Sequence, residues 1–388
     1  MKKQQVIIGK GTQTVERSHA LLSASSSHRW IRCPPSARLC ENFEDKGSDY
    51  AKQGSEAHSL CQFKLEAMLG METTDPSGDL SFYDEEMENC AENYALYVME
   101  QVAKAKETCA DPVVLIEQRL DFSRWVKAGF GTGDCVIIAD GTLSVIDYKH
   151  GKGILVEAEK NPQMLCYSLG AVEMLDGIYD ISSINIIIFQ PRRENISTYT
   201  LSKAELLQWA DDVLAPAARL AYAGEGDFES GEHCYFCKAK ATCRKRAECN
   251  LELARYDFAM PSTLEDDEIE AILLKVDDLV SWASDVKAFV LQAAISGKEW
   301  AGWKLVEGRA NRKYIDETAV ADAVAAAGVN PYEQKLLGIT AMTATLGKKQ
   351  FDEVLGQLIC RPQGKPTLVP ESDKRPTMNT AKNDFIEE

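Results

Sequence analysis

Residues 131–149, reading GTGDCVIIADGTLSVIDYK, place two apolar runs on either side of Asp140-Gly141. An Asp-Gly pair between such runs is a strong short-range hairpin signal, because the turn needs backbone conformations that glycine adopts without strain. Residues 136–139 and 143–146 are therefore expected to pair as antiparallel strands. The pairing puts Asp134 at the mouth of one strand and Asp147 with Lys149 at the end of the next. Side chains alternate along a strand, so Asp147 and Lys149 share a face and Tyr148 points away. Two carboxylates are hard oxygen ligands for a divalent cation, and a lysine beside them can orient or deprotonate water and screen a phosphate. Core packing asks for none of the three. Taken singly, though, an Asp opening a strand and a D-x-K closing one are ordinary turn residues and solvated charges.

The next segment strengthens the reading. Asn161-Pro162 suits a first helical turn, and Gln163 and Tyr167 stand four residues apart on one helical face. Met164, Leu165, Leu169 and Val172 form the expected buried side. Gln163 and Tyr167, on the opposite side, are candidates to hold a nucleic-acid strand through phosphate or base contact. The simpler alternative is the polar edge of an amphipathic helix.

Twelve cysteines give a second signal. Cys61, Cys90, Cys135, Cys166 and Cys360 lie alone in apolar or helical runs, as buried free thiols do in a reducing cytoplasm. Cys234-x2-Cys237-x5-Cys243 is instead a compact ligand loop, and Cys33 lies far upstream in the setting Trp30-x2-Cys33-Pro34. Soft thiolates at such spacing select zinc or an iron-sulfur cluster, and the spacing leaves both open.

The motif order G-x-x-D (131–134), D-Y-K (147–149) and Q-x-x-x-Y (163–167) resembles that of the PD-(D/E)XK nucleases of the RecB type, a group that includes AddB and the CRISPR adaptation nucleases. Gly54-Ser-Glu-Ala-His58 looks like that family's first-helix motif. The resemblance implies an α/β fold with a restriction-endonuclease-like core, a mixed central sheet flanked by helices; the helical spacing beyond about residue 255 adds a mainly helical C-terminal region. It implies Mg2+ or Mn2+ held by His58, Asp134 and Asp147 with the Tyr148 carbonyl. Asp134, Asp147 and Lys149 are then catalytic, and Gln163 and Tyr167 position DNA. Without the family, His58 reads as a surface or half-buried histidine. Glu117 stands where such enzymes often begin their sheet, and a strand-edge glutamate is its simpler reading. In the iron-sulfur branch one cysteine precedes the core and three follow it as C-x2-C-x5-C. That implies a 4Fe-4S cluster on Cys33, Cys234, Cys237 and Cys243, with Cys249 or Cys40 as alternative fourth ligands. Such a staple, closing a loop of this length, would stabilise the fold by about 5 kcal/mol in the chain-entropy model. Residues 368–376 look like the ending of an uncharacterised phage and prophage family that carries the RecB-type core.

With 388 residues, 45% of them hydrophobic, the chain has material for two or three cores. No apolar run approaches a membrane span, so no membrane partner and a cytoplasmic location are expected. The net charge of -17 argues against nucleic-acid binding. Its distribution is uneven, however: acids crowd residues 84–88 and 265–268, whereas Lys238, Lys240, Arg244, Lys245 and Arg246 surround the cysteine loop, and Arg192 and Arg193 close an apolar run.

Residues 1–25 read as polar and loose. Helices are expected at 56–68, 85–106 and 203–222, and strands at 113–120, 134–139, 143–149 and 183–190. The helical spacing from Ile269 to Val290 reads as core packing. A short hairpin at 300–314, helices at 318–327 and 348–359, and a disordered tail from 376 complete a division into 1–255, 256–375 and 376–388. The expected activity is metal-dependent DNA cleavage, as an exonuclease in phage recombination, replication or DNA processing. Its expected partners are DNA and a phage single-strand-binding or annealing protein. The competing readings are a non-cleaving DNA-end binding module on the same fold and an iron-sulfur redox protein.

Overall fold

The computed structural model describes residues 7–10, 20–43, 47–252, 264–306, 315–328, 330–332 and 338–359. The chain forms two compact units, Met1–Val290 and Leu291–Glu388.

The first unit is built on a six-stranded mixed sheet in the order β1 (Ile7–Lys10), β2 (Val113–Asp121), β3 (Phe130–Ala139), β4 (Thr142–Tyr148), β5 (Ser183–Gln190) and β6 (Asn195–Ser202). β1 with β2 and β4 with β5 are parallel, and the other neighbours are antiparallel. The Asp140-Gly141 hairpin forms as expected, with Ala139 paired to Thr142. β1 corrects the expectation of a loose N-terminal stretch, since its four residues pair with 113–116 across a hundred residues of chain.

Two cores cover the two faces. Cys135, Ile137, Ile146, Tyr148, Ile187 and Phe189 pack on α3 (Asp49–Met68) and α4 (Glu85–Thr108). Val136, Ile138, Val145, Ile184, Ile186 and Ile188 pack on the other side, with α5 (Pro162–Leu175). Period-two alternation between the sets makes the sheet the middle of three layers.

Local chemistry starts these helices. Ser48 accepts from the Ala51 amide at 3.1 Å, Asp84 from Met87 at 2.7 Å, and Asn161 from Gln163 at 3.1 Å. The acid run 84–88 thus caps α4 and complements its dipole. α5 joins the parallel strands β4 and β5 and lies against β2 so closely that a Cβ at Gly170 would sit 2.9 Å from the Leu120 carbonyl carbon.

Short helices α1 (Ser27–Arg32) and α2 (Ser36–Glu41) lead into α3. The single helix expected at 203–222 is α6 (Lys203–Trp209) and α7 (Ala215–Ala223), joined by a π-helical turn. The cysteine loop leads to α8 (Arg244–Leu251), and α9 (Asp266–Ile295) follows.

No residue of α9 is buried, which corrects the reading of 269–290 as core. Its polar side is anchored instead. The buried Arg246 donates to Asp285 at 2.6 Å and Asp278 at 3.0 Å, and Asn250 donates to Asp278 at 2.9 Å. These bonds carry the first unit past the boundary expected near 255.

In the second unit α10 (Glu317–Ala326) and α12 (Lys348–Leu355) fall at the two helical positions anticipated there, and α11 (Ile339–Leu346) is a further helix that was not expected. Residues 300–306 form no strand; the rest of the expected hairpin and the tail from 376 lie outside the described residues.

Candidate functional site

The β2–β3 ladder runs from Ile116↔Cys135 directly to Gln118↔Gly133, leaving Glu117 opposite Asp134 without ladder pairing. Glu117 has φ 48, a left-handed conformation that strains a residue with a side chain and concentrates at functional sites. The face each strand presents also changes here. Ile116 and Cys135 belong to the α3–α4 core, yet Leu120 lies in the α5 core, and a Cβ at Gly133 would meet Leu120. Strict alternation would put Ile116 with Leu120, and Gly133 with Cys135. The break instead gathers two acids where the sheet changes face.

His58 of α3 approaches the same point. Its Nδ1 lies 3.1 Å from Asp134 Oδ1, and the Tyr148 amide donates to Asp134 Oδ2 at 2.7 Å. Ligand atoms of His58, Glu117 and Asp134 all lie within 4.8 Å of one another. Sequence reasoning named Glu117 but preferred a structural role for it; the strained φ that turns it inward has no sequence signature.

Asp147 is buried beside this group. Lys149 Nζ lies 2.8 Å from its Oδ2, and Gln163 Nε2 is 3.4 Å from Oδ1. Gln163 also accepts from Lys149 at 3.1 Å and donates to the Tyr167 hydroxyl at 3.0 Å. Tyr167 is buried, a correction to its expected place on an exposed polar edge. α5 is covered on nearly all sides, and β3 approaches so closely that a Cβ at Gly131 would be 2.5 Å from the Tyr167 ring. Tyr167 therefore orients Gln163, and Gln163 orients Asp147 and Lys149.

The two aspartates are driven apart electrostatically. Burial opposes the Asp134 charge, but His58 and the Tyr148 amide outweigh it and hold the carboxyl below the usual range. Burial raises Asp147; Lys149 offsets part of that, and repulsion from Asp134 adds to it. Burial also opposes charge on His58, yet Asp134, then Asp147, bring its pKa up to about 9. An imidazolium thus holds the place that a cation would contest.

Beyond Asp147, the Tyr148 hydroxyl pairs with His150 Nδ1 at 2.8 Å, inside the α4 side of the core. Burial, then Arg192, push the His150 pKa down to about 4. The unfolded chain, with a value near 6.5, takes up a proton that the folded protein refuses, so stability falls as pH drops from about 6.5 toward 4. Lowering pH from 7 to 5 should cost about 2 kcal/mol through this residue. Urea unfolding at the two pH values measures it. His150→Phe should lose most of that difference, and an unchanged difference would remove the assignment.

The basic rim is largely committed. Arg192 pairs with Glu86 at 2.8 Å, Arg193 donates to the Lys152 carbonyl at 2.8 Å, Lys240 pairs with Asp285 at 2.8 Å, and Arg246 is buried. The cysteines come together in two sets. Burial opposes charge on Cys33 and Cys234, but hydrogen bonds from His233 together with nearby backbone groups hold both thiols below the usual range. Cys40 Sγ lies 3.7 Å from Cys237 Sγ, and that contact brings Cys40 down to about 6. Cys243 stands at the N-cap position of α8 without a side-chain capping bond and lines a cavity of about 230 Å3 with Leu39, Ala239 and Arg244. Cys249 is half-buried on α8.

Fold and site together define a mixed α/β protein with a carboxylate–histidine–lysine site at a break in its sheet. A family model described as "Protein of unknown function (DUF2800)" matches residues 19–376, and the chain belongs to that family. A solved structure titled "Crystal structure of SSO0001" is similar at 12% identity over 50% of this chain and 98% of that chain, with a TM-score of 0.22, too low to carry an argument about fold. Among the described residues no helix is long and apolar enough to cross a membrane.

Proposed function

We propose that this protein is a metal-dependent DNA nuclease with a PD-(D/E)XK core of the RecB type, working as an exonuclease in phage recombination, replication or DNA processing. The observation that carries the reading is the convergence of His58, Glu117 and Asp134 beside the buried Asp147 and its half-buried partner Lys149.

The donors suit a hard divalent cation. Carboxylate oxygens suit Mg2+ or Mn2+, the single imidazole is a ligand Mn2+ also accepts, and Asp147 Oδ2 is buried without an aligned hydrogen bond. His58, Glu117, Asp134 and Asp147, with the Tyr148 carbonyl, would hold the ion. When bound, such an ion polarises a phosphate and acidifies water. The side chains supply the rest. Lys149, fixed between Asp147 and Gln163, places a positive charge where the attacking water and the phosphate must meet. Gln163 locks that geometry, and Tyr167 locks Gln163. The cysteine loop is assigned to a 4Fe-4S cluster on Cys33, Cys234, Cys237 and Cys243, with Cys40 next to Cys237. Cys33 and Cys234, held below their usual range, suit that role, whereas the hydrogen bond with Cys40, then burial, push Cys237 up.

The test is incubation with end-labelled single- and double-stranded DNA and Mn2+. Progressive loss of label from an end is expected. DNA that is bound yet intact would favour the end-binding module instead.

A further inference from the structure

The ladder break leaves one pair of side chains unused by the site just described. Past Glu117, Arg119 is the cross-strand partner of Thr132, and Phe130 is the next residue of β3 on the same face. The Arg119 guanidinium lies over the Phe130 ring, 3.6 Å from its centroid. Arg119 and Thr132 are exposed, and Phe130 is half-buried. Asp121, two residues along β2, attracts the Arg119 guanidinium electrostatically but takes its hydrogen bond from the Ser123 amide, at 2.8 Å. Among the described residues Arg119 makes no contact ion pair, and its charge interaction with Asp121 is a looser one. It thus differs from Arg192, Lys240 and Arg246, whose charges are spent on carboxylates.

Arg119 stands two strand residues, about 7 Å, from Glu117. A guanidinium seated on an aromatic ring loses little freedom on binding, and its planar fork matches two phosphate oxygens. We infer that Arg119, seated on Phe130, anchors a backbone phosphate of the substrate strand next to the scissile one. The inference rests on the nuclease reading and adds to it a sequence-independent grip on the strand. It also answers the objection from net charge, since a guanidinium without a contact ion pair beside the site acts locally whatever the net charge of the chain.

The experiment is steady-state cleavage of an end-labelled single-stranded oligonucleotide with Mn2+ over a series of KCl concentrations, for wild type, Arg119→Gln, Arg119→Lys and Phe130→Leu. Arg119→Gln should raise KM about tenfold with kcat unchanged. Its slope of log(kcat/KM) against log salt should be shallower by about 0.7. Arg119→Lys and Phe130→Leu keep the charge, so both should keep the wild-type slope while raising KM by less. Wild-type kinetics in Arg119→Gln, or a fall in kcat with KM and salt slope unchanged, would overturn the anchor and leave the nuclease reading standing. A wild-type protein that neither binds nor cleaves the oligonucleotide would overturn the nuclease reading and the anchor with it.

Discussion

Asp147→Asn should reduce DNA cleavage by on the order of a thousandfold or more while making the protein more stable. Both effects have one origin. The carboxylate is buried and pressed by Asp134, so its pKa is raised and its charged form opposes folding at neutral pH. For an acid with a raised folded pKa, the stabilising contribution exists at low pH and is lost as pH rises through that value. Asn keeps the shape and the approach of Gln163 but carries no charge to desolvate. A gain of about 1 kcal/mol at pH 7 is the scale to look for in urea unfolding. Activity lost with a large loss of stability would mean that Asp147 holds the fold; activity retained would remove it from the site.

Protein purified without oxygen should be brown and hold about four iron and four sulfide per chain. Cys237→Ser should lose most of both, and Cys61→Ser neither. Cys61 belongs to the core between the sheet and α3–α4, whereas Cys237 sits in a separate cluster with Cys40. Stoichiometric zinc without iron would sink the cluster and leave the nuclease reading intact. Cys40→Ser decides a finer point. Its sulfur is 3.7 Å from Cys237, so iron lost in Cys40→Ser but kept in Cys33→Ser would make Cys40 the upstream ligand.

The parts legible in the sequence were those governed by local chemistry. Asp140-Gly141 announces its hairpin and Asn161-Pro162 the start of α5, because turns and caps depend on a few neighbouring residues, whereas α3 starts at Asp49, seven residues before its expected start, on the Ser48 cap. Long-range geometry was not legible. Nothing in Ile7–Lys10 says that its partner is β2. Tyr167 looks like a polar edge until packing covers α5 on both sides. Glu117 reads as a strand residue, and only the backbone reveals that it leaves the ladder opposite Asp134. The stripe on α9 has core periodicity, yet charged residues on its other side attach it. Periodicity shows that a face is apolar without showing what meets it.

The central claim is that His58, Glu117 and Asp134, with Asp147, hold a divalent ion on which cleavage depends. The direct measurement is Mn2+ titration by calorimetry with DNA cleavage assayed over the same concentrations, for wild type, Asp134→Asn and Tyr167→Phe. Wild type should bind Mn2+, with cleavage rising to saturation over the same range. Asp134→Asn should lose both. Tyr167→Phe, which removes only the hydroxyl that fixes Gln163, should bind Mn2+ nearly as wild type does and cleave more slowly. Cleavage that persists in Asp134→Asn or under chelation, or a wild-type protein that takes up no Mn2+, would contradict the claim.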